Sequence, residues 1–93
     1  MIRVVIADDH AVVRTGLTQL VGTFDGVELV GAAANGEEAV ALAAERRPHV
    51  VLMDLEMPVV DGIEATRRLK AAQPEVAVVI LTSFSDRDRI LHA

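Results

Sequence analysis

The sequence predicts an α/β fold, a doubly wound parallel sheet with helices on both faces. Three observations predict it. Apolar runs alternate with amphipathic stretches in the order βαβαβαβα. Turn residues separate each run from the next stretch. Three of the four apolar runs are uninterrupted, as expected for strands covered on both faces.

Residues 2–7 form the first strand. Residues 11–23 read as a helix, with Val13, Leu17, Leu20 and Val21 on one face. Residues 27–33 make a weaker strand. Glu28 and Gly31 interrupt it, which places it at a sheet edge. Residues 36–47 read as a helix: Asn35 as N-cap and Glu38 three positions on make a capping-box-like start, and Pro48 ends it. Residues 50–53 are a short buried strand. Asp61 followed by Glu64 opens the next helix, which runs to about residue 72, and Pro74 separates it from the strand at 76–81. Ser85 can cap a last helix that begins near Asp86. The strand at 76–81 carries no charge and no edge-protecting device, so it reads as an interior strand with a neighbour on each side. A further strand is expected beside it, and exposure of that edge is expected to drive self-association.

Composition narrows the function classes. Ninety-three residues make one domain at most, and 52% of them are hydrophobic, with two Phe as the only aromatics, so aliphatic packing carries the core. A formal charge of −5 argues against direct binding of a nucleic-acid backbone, which needs clustered Lys and Arg. The absence of cysteine excludes a disulfide framework and thiolate metal sites, and it fits a cytoplasmic protein. The longest apolar run is far short of the ~20 residues that span a bilayer, and Met1 leads straight into a strand with no signal-peptide pattern.

The chemistry gathers at strand ends. The first strand ends in Ala7-Asp8-Asp9-His10, the third in Met53-Asp54-Leu55-Glu56, and the fourth in Leu81-Thr82-Ser83. Ligands of open parallel sheets bind outside the carboxyl ends of the strands. If the first and third strands are neighbours, ~4.8 Å apart, Asp8, Asp9 and Asp54 converge there. Carboxylates packed together repel, so they either take up protons or share a cation. An all-oxygen donor set points to a hard ion, and Mg²⁺ suits it better than a full calcium cage. The competing reading makes these residues turn formers, with Asp9 capping the first helix. A metal-bound carboxylate can also act as a nucleophile and form an acyl phosphate. Asp54 is the candidate, at the end of the central strand, with Thr82 offering a hydroxyl from the next strand.

These residues resemble the receiver domains of two-component response regulators. The resemblance rests on Asp8-Asp9 after the first strand, on Val51-Leu52-Met53-Asp54, on Met57-Pro58, on Asp61-Gly62, and on Thr82. Asp8-Asp9-His10 with Val13-Arg14-Thr15-Gly16-Leu17 further resembles the NarL/FixJ (LuxR-type) subgroup, which joins a receiver to a helix-turn-helix DNA-binding domain. The resemblance implies a flavodoxin-like, CheY-like sheet of order 2-1-3-4, with the family's fifth strand, fifth helix and their Lys absent from residues 1–93. It implies that Asp54 is the phosphoacceptor. Asp9 and Asp54 would ligate Mg²⁺ directly with the Glu56 main-chain carbonyl, and Asp8 largely through water. Thr82 would be the switch hydroxyl. The implied partner is a sensor histidine kinase, and the exposed fourth strand separately predicts a homodimer or strand-exchanged oligomer. The implied role is control of transcription through the output domain, with no turnover of a substrate. Glu56 and Phe84 would flank the path of the hydrolytic water, and bulky Phe84 is expected to slow loss of the phosphoryl group.

Other residues have plainer readings. His10 reads as a loop residue near the site and not a ligand, His49 and His92 as solvated, and Arg67, Arg68 and Lys70 as a solvated helix face. Two alternatives stay open: a haloacid-dehalogenase-like phosphatase, from Asp54-Leu55-Glu56 after an apolar strand, and a pure interaction module. A dinucleotide fold is not expected, because no Gly-rich turn follows the first strand.

Overall fold

The structure, a computed structural model, describes residues 1–55 and 57–81. Seven elements follow in order: β1 (Ile2–Ala7), α1 (Ala11–Val21), β2 (Val27–Ala33), α2 (Gly36–Arg46), β3 (Val50–Asp54), α3 (Gly62–Ala72) and β4 (Ala77–Leu81). All strand pairs are parallel, in the order β2-β1-β3-β4. The interrupted second strand therefore lies at an edge, as its composition predicts. The predicted last helix, with Ser85, lies outside the described residues.

The helix boundaries follow from local chemistry. At α2 the Asn35 side chain accepts the Glu38 N–H at 2.8 Å, while a Glu38 carboxylate oxygen accepts the Ala34 N–H at 3.3 Å. The helix ends as Arg47 turns left-handed, φ 49°, ahead of Pro48. At α3 the Asp61 carboxylate accepts the Glu64 N–H at 2.9 Å. The carboxamide of buried Gln73 donates to the Ala43 carbonyl at 2.9 Å, tying the end of α3 to α2 and satisfying a polar group the core would otherwise strand.

The two faces of the sheet are covered unequally. Side chains alternate along a strand. Val5, Ala7, Val51 and Met53 point to the face packed by Ala39 and Ala43 of α2 and Ala65 and Leu69 of α3, which makes the main core. Val4 and Ile6 point the other way, where α1 touches β1 and β2. The face predicted to be buried on α1 is only partly so. Val21 is buried and Leu17 half-buried, but Val13 and Leu20 are exposed, because α1 is the one helix on that side among the described residues. Val79 on β4, at 47% exposure, belongs to the same thinly covered face.

Several side chains read as solvated are exposed as expected, and they also make local contacts. His49 is exposed, yet its Nδ1 accepts the Arg3 N–H at 2.9 Å. Its own N–H donates to the Arg3 carbonyl at 2.8 Å, and its carbonyl accepts from Ala77 at 2.9 Å. It therefore fastens the starts of β1, β3 and β4 together. Arg67 and Arg68 both grip the Glu64 carboxylate, and the Lys70 amine donates to the Pro74 and Val76 carbonyls.

Candidate metal and phosphoacceptor site

Register brings the acidic residues together. β1 and β3 pair Ala7 with Met53, so the next residues, Asp8 and Asp54, reach the sheet's carboxyl edge side by side. Asp8 is buried and well held. Its N–H donates to the Ala33 carbonyl at 3.0 Å, its carbonyl accepts from the Arg14 guanidinium at 2.7 Å, and its Oδ1 accepts the His10 N–H at 2.8 Å. Arg14, a residue of α1, thus locks the turn that presents the acid pair. The reading of Asp9 as a helix cap fails: the N-cap of α1 is His10, and no side chain hydrogen-bonds there. That leaves the Asp9 carboxylate outside the helix and facing the cluster.

Asp8, Asp9, His10 and Asp54 each offer one donor atom, and these atoms lie within 4.8 Å of one another. The His10 Nδ1 stands 3.0 Å from Oδ1 of both Asp8 and Asp9. The hydrogen-bonded Asp8 carboxylate, and then the charge of Asp9, hold the imidazole above its ordinary pKa range. Sequence reading placed His10 near the site but outside the donor set. The structure places it there, and the 3.0 Å approach of its ring to both carboxylates depends on how the turn after β1 aims it. Three carboxylates with no thiolate are a donor set for a small divalent cation, the imidazole stands beside them, and the structure brings all four groups within a common ion's reach. Glu56, Thr82 and Phe84 lie outside the described residues.

The turn after Asp54 is shaped by backbone contacts. The Val60 N–H donates to the Pro58 carbonyl at 2.8 Å, closing a three-residue turn around Val59, whose φ is +70°. A Cβ at position 62 would lie 2.1 Å from the Asp54 carbonyl oxygen, and one at position 36 would lie 2.0 Å from the Val60 carbonyl oxygen. Both positions therefore require glycine for close approach of main chain to main chain.

Comparison with known proteins agrees with this geometry. The family model described as "Response regulator receiver domain" matches residues 4–93. The response regulator GacA of Pseudomonas protegens is 49% identical over 82 residues, covering 88% of this chain and 38% of that protein. The chain thus spans well under half the length of such curated relatives. A two-component response regulator of the LuxR family from Aurantimonas sp. matches with a TM-score of 0.82 at 31% identity, covering 97% of this chain and 66% of that one. The CheX-CheY complex with BeF3 and magnesium from Borrelia burgdorferi matches with a TM-score of 0.83 at 26% identity, covering 98% and 71%.

Proposed function

This chain belongs to the response regulator receiver domain family, and on that premise we propose that it takes a phosphoryl group on the Asp54 carboxylate beside a magnesium ion. The observation that carries the reading is the convergence of Asp8, Asp9 and Asp54 at the carboxyl ends of two adjacent parallel strands. Asp9 and Asp54 would hold the ion directly and buried Asp8 would anchor its hydration shell, with the Glu56 main-chain carbonyl as a further donor. Bound there, the ion neutralises charge on the transferring group.

The chain's own residues supply the rest. Arg14 and the Ala33 carbonyl fix the Asp8 turn. The β3 register sets Asp54 at the sheet edge, and one of its carboxylate oxygens forms the new P–O bond. The bond between phosphorus and the donor nitrogen breaks, and the leaving imidazole keeps the electron pair. The donor we propose is a phosphohistidine on a sensor histidine kinase. Thr82 would then offer its hydroxyl to a phosphoryl oxygen, and the group would bias a two-state equilibrium rather than be turned over. On the LuxR-type subgroup pattern of Asp8-Asp9-His10 and Val13-Arg14-Thr15-Gly16-Leu17, the phosphorylated receiver would control a DNA-binding output domain in a cytoplasmic protein. No helix among the described residues is long and apolar enough to cross a membrane. Acetyl phosphate with Mg²⁺ should add one phosphoryl group, seen by mass spectrometry, and Asp54→Asn should abolish it. Retention of the added group in Asp54→Asn would overturn the assignment.

A second proposal concerns self-association. Among the described residues β4 pairs on one side only, with β3, and its five residues carry no charge. Apolar edges recruit further strands, so we propose that residues 1–93 on their own form a homodimer or strand-exchanged oligomer through this edge. Light scattering that gives a monomer mass at high concentration would refute it.

A further inference from the structure

We infer that His10 is a metal-selectivity residue: its Nδ1 is a nitrogen donor in the acidic site and tilts that site from magnesium toward borderline transition ions such as Zn²⁺. The inference rests on the receiver reading, in which Asp9 and Asp54 ligate directly and Asp8 through water, and adds a nitrogen donor to it. Geometry carries it. Donor atoms about 2.1 Å from a common ion and at right angles to one another lie about 3 Å apart. Nδ1 of His10 is 3.0 Å from Oδ1 of Asp9, a direct ligand in that reading, so these two atoms already stand at that spacing, while the same 3.0 Å to Oδ1 of Asp8 is a hydrogen bond. The Asp54 oxygen completes a set no wider than 4.8 Å, a little more than the ~4.2 Å between opposite donors of one ion.

The ring is placed by the chain: its Nδ1 is hydrogen-bonded to Oδ1 of Asp8, and a bound ion would take the place of that contact. The His10 N–H is tied to the Asp8 carboxylate at 2.8 Å, which fixes the backbone beneath the ring. The side chain itself is mostly exposed, so the imidazole can rotate onto an ion without disturbing the core. Neutral imidazole ligates through Nδ1 with its proton on Nε2. Carboxylate oxygen suits Mg²⁺, whereas imidazole suits Zn²⁺ and its neighbours. Replacing one water by this nitrogen should therefore raise affinity for Zn²⁺ far more than for Mg²⁺.

The experiment is a Zn²⁺ and a Mg²⁺ titration of the chain, read by calorimetry and by long-range ¹H–¹⁵N correlation of the histidine rings. Zn²⁺ should shift the Nδ1 resonance of His10 specifically, and the shift should vanish in Asp9→Asn, which removes a carboxylate of the shared site. His10→Ala should weaken Zn²⁺ by about tenfold or more while changing Mg²⁺ less than about twofold. His10 is exposed, so the variant keeps its fold, which far-UV circular dichroism verifies. Zn²⁺ binding with no change at the His10 ring, or equal losses for both ions, would overturn the inference and leave the receiver reading intact. Failure of both ions to bind would overturn both.

Discussion

Replacing Gly62 by alanine tests whether close backbone approach positions the phosphoacceptor. The added Cβ would lie 2.1 Å from the Asp54 carbonyl oxygen, 2.9 Å from the Asp54 carbonyl carbon and 2.7 Å from the Leu55 Cα. All three are main-chain atoms, so no side chain can swing away. Helix α3 and the end of β3 must separate by roughly 1 Å or more to reach ordinary contact. The Gly62 N–H donates to the Leu55 carbonyl at 2.8 Å and would be stretched or lost, at about 1 kcal/mol. Overpacking adds about 1–3 kcal/mol, and the helix preference of alanine over glycine returns at most ~1 kcal/mol. The expected net loss is about 2 kcal/mol. Gly16 provides the control with opposite sign: it sits inside α1 with nothing within 4 Å of an added Cβ. Gly16→Ala should therefore stabilise by up to ~1 kcal/mol. Urea unfolding followed by far-UV circular dichroism suits a chain without Trp or Tyr. With a slope near ~1 kcal/mol per molar, Gly62→Ala should lower the midpoint by about 2 M, and its phosphorylation by acetyl phosphate should fall. A Gly62→Ala midpoint at or above that of the parent chain would refute the reasoning.

Two further predictions follow from local geometry. Val59 has φ +70° and is 75% exposed, so it carries left-handed strain with little packing in return. Relief of ~1–2 kcal/mol, less the ~0.5–1 kcal/mol entropic cost of glycine, predicts that Val59→Gly leaves thermal stability unchanged or slightly raised. A clear drop in Tm would contradict it. Hydrogen bonds from Arg67 and then Arg68 pull the Glu64 carboxyl down to about 2 from 4.5. A depressed folded-state pKa contributes stability that is present above about 4.5 and is lost as pH falls through about 2. The gap between the parent chain and Glu64→Gln should thus close between those values and shrink with salt. A gap that stays constant down to pH 2 would count against the ion-pair account.

Much of the fold was legible because parallel sheets advertise themselves. Continuous apolar runs separated by caps and prolines located β1, β3, β4, α2 and α3 to within a residue or so, and Glu28 and Gly31 betrayed the edge position of β2. The three aspartates were legible for the same reason: each sits where an apolar run stops. What escaped was whatever depends on tertiary placement. The apolar stripe of α1 looked like a buried face, but burial needs a partner on that side of the sheet. His49 and Lys70 are as exposed as they read, but sequence spacing does not report that a ring or an amine will also meet a main-chain group brought by another segment. Gly36 read as a helix start and Gly62 as a motif residue. Their actual constraint, a carbonyl about 2 Å from where a side chain would begin, is visible only in three dimensions.

The contact at Gly36 has a mechanical consequence. The Val60 carbonyl occupies the space a side chain there would need, so the segment after Asp54 rests directly on the opening turn of α2. Peptide groups are stiff, and no flexible methylene chain lies between these two to cushion a displacement. A shove applied to that segment would arrive at α2 undamped, as through a rigid linkage rather than a spring.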